Sequence, residues 1–145
     1  QTNSANFGFN PITKYDWADY ISLDELEARI ACRDKSSGLK DLAESLSLNL
    51  RCGKTSVTRG KHGSLVCDGY KDITEVPALS REVVDAVGAG DAYLSLTSLC
   101  AYQGIQADLL GFIGNVAGAL KCQTVCNKEP IGKVKLLKYI ETLLK

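Results

Sequence analysis

One stretch, Asp85-Ala86-Val87-Gly88-Ala89-Gly90-Asp91, constrains this chain more than any other. It sets glycines and a carboxylate immediately before a long apolar segment, Ala92 to Tyr102. A glycine turn that opens a helix leaves backbone N–H groups without intrahelical partners, aimed at one spot. The helix dipole adds partial positive charge there, so the spot attracts anions such as phosphate. An acid beside such a spot has one obvious use: it takes the proton of a hydroxyl that attacks a phosphoryl group. The competing reading makes Asp91 only the N-cap of the following helix.

Size and composition narrow the setting. With 145 residues, of which 45% are hydrophobic and 23% charged, the chain suits one globular domain with a real core. Its 17 basic residues equal its 17 acidic ones, so charge gives no case for nucleic acid or an acidic membrane surface. No apolar run is long enough to span a bilayer and no signal peptide opens the chain. The expectation is a cytoplasmic protein with no nucleic-acid or membrane partner. Methionine is absent even at the first position, which is Gln1, so a processed or excised piece of something longer is expected.

Six cysteines stand at positions 32, 52, 67, 100, 122 and 126, without the regular spacing of a disulfide scaffold. They read as reduced, mostly buried thiols. Cys122 and Cys126 could share a helix face, but a metal site needs more ligands and the one histidine, His62, is far off in sequence.

The residues up to Tyr15 read as loop, and Asp19 to Ser22 as a short strand. Leu23, Leu26 and Ile30 have helical spacing over Leu23 to Cys32, and Leu39, Leu42, Ala43, Leu46 and Leu50 mark a second amphipathic helix. Thr55 to Thr58 and Ser64 to Cys67 are β-prone and flank Arg59-Gly60-Lys61-His62-Gly63, which predicts a hairpin. Ile73 to Val76 adds another strand. Ala92 to Tyr102, apolar nearly all round, predicts a helix buried on most faces and stopped by Gly104. Asp108 to Lys121 predicts a helix whose Gly111, Gly114, Ala117 and Gly118 permit close approach, and Val134 to Leu144 a final amphipathic one. Helices, then strands, then helices make the class α/β or α+β.

Three further patterns carry chemistry. Gly53-Lys54-Thr55 imitates the end of a P-loop, but Leu48 fills the position where the first glycine is required and a strand follows instead of a helix. Thr58-Arg59-Gly60-Lys61-His62-Gly63 has the form T-x-G-x-x-G, whose glycines let backbone approach a ligand closely or simply make a turn. Asp24-Glu25-Leu26-Glu27 opens a helix; acids there complement the dipole, and could also order magnesium-bound water near phosphates.

Taken together, these pieces resemble the ribokinase-like (PfkB) carbohydrate kinase family. Its signature D-T-x-G-A-G-D agrees with Asp85 to Asp91 everywhere except Ala86, where the family usually has threonine. Asp24 to Glu27 resembles the family's N-x-x-E with aspartate in place of asparagine, and Thr58, Gly60 and Gly63 fall between the two motifs in the family order. The resemblance implies an α/β, three-layer ribokinase-like fold, truncated to its C-terminal half. Residues 1–145 would then be the nucleotide-binding and catalytic portion of a sugar kinase, with the sugar-binding half and lid absent. It implies ATP and Mg²⁺ as cofactors, a sugar or sugar phosphate as substrate, and leaves a homodimer open. Asp91 resembles the base, and the N–H groups of Gly88, Ala89 and Gly90 the anion hole. Glu27 with Asp24 resembles the acid that organises Mg²⁺ through water. Thr58, Gly60 and Gly63 would line the nucleotide side, with Asn115 near the base. Asp85 and the Val87 carbonyl resemble part of the K⁺ (monovalent-cation) site of some members, completed here by Thr124 to Asn127, where the family often has a Gly-Ala pair. Residues 10–16 and 20–25 look most like the heptose-phosphate kinase and ADP-heptose synthase branch.

Two rivals share much of this evidence. One is a nucleoside or vitamin-alcohol kinase of the same fold. The other is a nucleotide-binding module without catalysis, against which the intact Asp91 and glycines argue. Without a sugar pocket, these residues alone are expected to show little kinase activity.

Overall fold

The computed structural model describes residues 8–79, 84–124 and 129–145. Its centre is a four-stranded mixed sheet: β1 (Tyr20–Asp24), β2 (Lys54–Thr58), β3 (Ser64–Asp68) and β4 (Asp72–Val76), side by side in chain order. β1 and β2 are parallel, with Ser22 opposite Ser56; β2–β3 and β3–β4 are antiparallel. The parallel pair needs a crossover, and helices α1 (Glu25–Cys32) and α2 (Leu39–Asn49) provide it. Helices α3 (Ala89–Tyr102), α4 (Ala107–Cys122) and α5 (Lys133–Leu143) follow the sheet.

Strand periodicity sorts the layers. Ile21, Leu23, Val57, Leu65 and Cys67 point to one face and pack with Ala28, Ala31, Ala43, Leu46 and Leu50 of the α1–α2 side. Val66, from the alternate position on β3, packs on the other face with Ala107 and Leu110 of α4, joined by Tyr20 and Cys100. The result is the three-layer α/β arrangement implied by the resemblance. α5 packs on α4, and its Tyr139 hydroxyl donates to the Leu79 carbonyl at 3.1 Å.

Several expectations need correction. The strand expected over Asp19 to Ser22 runs instead to Asp24, so Leu23 belongs to the sheet alternation and not to α1. Strand burial fixes Leu23, which leaves α1 to bury its alanines, Ala28 and Ala31, while Leu26 faces solvent. A strand therefore precedes the first helix. α3 begins at Ala89, earlier than Ala92, because Gly88 takes the left-handed φ of 82° as N-cap and Gly90 and Asp91 already have helical geometry. Asp91 is therefore not the cap. Nor is α3 buried on most faces: Tyr93 and Thr97 are its buried residues, and Leu94, Leu99 and Tyr102 are exposed. One stripe meets the sheet and α4, and the opposite stripe is left largely open. Five cysteines are free thiols; Cys52 and Cys67 are buried but Cys32, Cys100 and Cys122 only partly so, against the expectation of mostly buried thiols, and desolvation raises the pKa of each. Cys126 lies outside the described residues.

The small residues of α4 do what their size suggests. A Cβ on Gly114 would lie 2.3 Å from the Tyr93 ring, and one on Gly111 would lie 2.7 Å from Cγ2 of Val76. Close approach of α4 to α3 and to β4 depends on both glycines.

Candidate active site

The turn before α3 is held from both sides. Asp85 Oδ1 accepts a hydrogen bond from the Val87 amide at 2.9 Å, and the amides of Val84 and Asp85 donate to the Cys122 carbonyl at 2.9 and 3.1 Å. Ala89 N–H donates to the Ala86 carbonyl at 3.1 Å, closing the turn. These bonds tie the segment that leads to the left-handed Gly88 and into α3 against the end of α4. The first-turn amides of α3 thus point out of the helix start, with Asp91 in the same exposed turn.

On one side of that turn lies a cavity of about 250 Å³, lined by Ser22, Leu23, Asp24, Glu27, Thr58, Gly88, Gly90, Asp91 and Leu94. Residues from three separate sequence motifs meet here. Asp24 caps α1 by accepting from the Glu27 amide at 2.7 Å, while Glu27 Oε2 accepts from the Asp24 amide at 3.0 Å. The dipole reading of these acids therefore holds in the form of a capping box. A carboxylate has more acceptor sites than one cap bond uses, so capping and a water-mediated cation role are compatible.

On the other side lies a slot of about 290 Å³. Thr58, Gly60, Gly63, Ala89, Gly90 and Asn115 line it, together with the apolar Ala78, Leu79 and Tyr93. Its glycine loop is a tight turn closed by a backbone hydrogen bond. Gly60 and Gly63 have φ of 55° and 83°, and the Arg59 amide donates to the Gly63 carbonyl at 2.7 Å. Arg59 also pairs with Glu75 at 2.9 Å, and Lys40 reaches the same carboxylate at 2.9 Å. Hydrogen bonds from Lys40 and Arg59 hold the Glu75 pKa below the usual carboxylate value. Asn115 is buried, and its amide nitrogen donates to the carbonyls of Val76 and Pro77 at 3.1 and 2.9 Å. It braces the chain where it leaves β4, just before Ala78 and Leu79, which line the slot.

Thr58 and Gly90 belong to both cavities, so the slot and the acidic cavity meet at the start of α3. An apolar slot suits a base, and the junction with its amides suits phosphates. Asp85 and Val87 line neither cavity. The segment expected to complete a cation site is described only at Thr124, and Val125, Cys126 and Asn127 lie outside the described residues. Among the described residues, no cluster of three or more His, Cys, Asp or Glu is placed to hold a metal alone, so a divalent cation here would share its shell with phosphates and water. Among them too, no helix is long and apolar enough to cross a membrane.

Sequence reasoning missed Tyr93, Ala78 and Leu79 in the slot. Tyr93 carries a signal in hindsight: it is the large residue on α3 that matches the gap at Gly114 on α4.

A family model described as pfkB family carbohydrate kinase matches residues 14–130. The bifunctional protein HldE of Geotalea uraniireducens (strain Rf4) is 30% identical over 129 residues, covering 83% of this chain and 26% of that protein. HldE of Geobacter metallireducens is 31% identical over 135 residues, covering 86% and 27%. The chain thus spans about a quarter of the length of these relatives. Among solved structures, a probable sugar kinase from Rhizobium etli CFN 42 superposes with a TM-score of 0.71 at 22% identity, covering 86% of this chain and 36% of that one. Phosphofructokinase-2 from Escherichia coli, in complex with substrates and products, gives 0.74 at 15% identity, covering 90% and 42%. These structural likenesses speak to the fold.

Proposed function

Because this chain belongs to the pfkB family of carbohydrate kinases, we propose that it is the nucleotide-binding and catalytic portion of an ATP-dependent kinase that phosphorylates a sugar or sugar phosphate. The observation that carries this reading is the shared cavity of Asp24, Glu27, Thr58, Gly88, Gly90 and Asp91. A general base, a helix N-terminus and a pair of acids converge there, which is what in-line phosphoryl transfer to a hydroxyl requires.

In this reading the apolar slot takes the base of ATP and the Gly60–Gly63 loop approaches its phosphates. Asp91 accepts the proton of the attacking hydroxyl as its oxygen bonds to the γ-phosphorus of ATP and the bond from that phosphorus to the bridging oxygen breaks, leaving ADP. The α3 amides at Gly88 and Gly90 stabilise the charge that develops on the transferred group. Ala89, whose amide closes the preceding turn, shapes the hole more than it fills it. Asp24 and Glu27 would hold, through water, a Mg²⁺ bound with ATP, which would supply neutralisation of phosphate charge. Asp85 and the Val87 carbonyl are proposed as the chain's contribution to a K⁺ site. The heptose-phosphate branch, which residues 10–16 and 20–25 resemble, is the proposed acceptor class; the similarity to HldE proteins supports it.

The test is Asp91→Asn in the full-length gene product. Phosphoryl transfer is expected to fall by about three orders of magnitude or more, with nucleotide affinity preserved. Near-normal turnover would remove Asp91 from the role of base. Calorimetric titration of the 145-residue chain with MgATP separates a kinase portion from a module of other use. Absence of binding at millimolar nucleotide would overturn the nucleotide assignment.

A further inference from the structure

A line of buried hydroxyls lies between the sheet and α3, outside every role assigned above. Tyr20 Oη is 2.9 Å from Ser56 Oγ and 2.8 Å from Thr97 Oγ1, and Thr97 Oγ1 is 2.7 Å from the Tyr93 carbonyl. Each hydroxyl has one proton, which orders the line. A carbonyl can only accept, so Thr97 donates to Tyr93. Thr97 must then accept from Tyr20, and Tyr20 accepts from Ser56. Ser56 and Thr97 are fully buried, so each broken link would strand a polar atom away from water. Burial raises the Tyr20 pKa, which keeps its phenol protonated and able to donate.

The three segments that these bonds join are the three that deliver the site. β1 carries Tyr20 and ends at Asp24, β2 carries Ser56 and ends at Thr58, and α3 carries Asp91 in its first turn and the buried Thr97 six residues on. Apolar packing alone would bury the same area while letting a helix slide or rotate on a sheet. Directional hydrogen bonds fix both. Resting on the kinase reading, we propose that Tyr20 is a positioning residue, whose hydroxyl locks the base-bearing helix α3 in register with the strands that carry the acids and the nucleotide loop.

The loss of alignment should show in the chemical step, since small misplacements of reacting groups cost large factors in rate. In the full-length protein, Tyr20→Phe is expected to lower kcat by about tenfold while KM for ATP stays within about twofold, because the slot does not include Tyr20. Thr97→Val should do the same, Thr97→Ser should retain activity, and the double variant should be no worse than either single change. Hydrogen exchange on the 145-residue chain gives a readout independent of catalysis: Tyr20→Phe should speed exchange at residues 93–97 and leave β3 unchanged. Unchanged kcat in Tyr20→Phe, where Asp91→Asn abolishes transfer, would overturn the positioning role and leave the kinase reading intact. A fall in thermal stability with kcat and KM both unaltered would overturn it too. If Asp91→Asn keeps turnover, the assignment of Asp91 as base fails, and unchanged exchange in α3 would separately overturn the lock.

Discussion

Asp24 and Glu27 hold each other: the Glu27 amide reaches Asp24 Oδ1 at 2.7 Å and the Asp24 amide reaches Glu27 Oε2 at 3.0 Å. The pair caps α1 and simultaneously lines the cavity that contains Asp91. Stability and chemistry can be separated by substitution. Asp24→Ala should cost about 1 kcal/mol of folding stability, and Asp24→Asn only a few tenths, because asparagine caps as well as aspartate. Urea unfolding of the three proteins checks this. If Asp24 contributes to cation binding, Asp24→Asn should also raise the Mg²⁺ requirement without a matching stability change.

The two loop glycines should behave differently. A Cβ on Gly63 would lie 2.0 Å from the Val76 carbonyl oxygen and 2.6 Å from the Ala78 nitrogen, at a φ of 83°. Backbone cannot yield as a side chain can, so Gly63→Ala should cost about 3 kcal/mol or more. Gly60 has a φ of 55° but open space around it, so Gly60→Ala should cost only about 1 kcal/mol. A loss of nucleotide affinity in Gly60→Ala beyond that cost would mark close ligand approach. Thermal melts paired with nucleotide titration provide the comparison.

Asn115 tests the wall of the slot. Asn115→Asp would replace an amide donor by acceptors facing the carbonyls of Val76 and Pro77. A buried site makes that reversal cost about 2 kcal/mol or more. The expected outcome is a lower midpoint of unfolding together with weaker nucleotide binding, measured on the same preparations.

Acid should loosen the chain through two carboxyls at the surface. Hydrogen bonds from the Ser37 hydroxyl, then from the Ser37 and Ser36 amides, lower the Asp34 pKa to about 2. Lys40 and Arg59 lower that of Glu75. A carboxyl whose pKa falls on folding favours the folded state above its unfolded value of about 4. That contribution fades as pH drops toward the folded value, about 2 for Asp34. Melting temperature followed from pH 5 to pH 2 should decline, with a shallower slope for Asp34→Ala. An identical slope in the variant would remove Asp34 from the account.

Local chemistry was readable along the chain. Gly88 and Asp91 announce a helix start because a glycine turn and an adjacent acid express their properties wherever they stand. The hairpin over Thr58 to Ser64 and the stop at Gly104 were legible for the same reason. Leu26 misled, because helical spacing cannot say whether Leu23 is claimed by a strand. The apolar run of α3 misled also, because composition sets how much could be buried and not what is present to cover it.

The sequence by itself determined the residue types: an acid beside a glycine turn at a helix start, a β-strand threonine and a further pair of acids. Only the tertiary structure decided that they share one cavity. Asp24, Thr58 and Asp91 meet because the register of β1 on β2 sets Ser22 against Ser56 and brings both strand ends to the start of α3. Tyr20 and Thr97, 77 residues apart, show the same principle. Their hydrogen bond has no local signature, since either hydroxyl would be equally at home in water until the sheet and helix close over both.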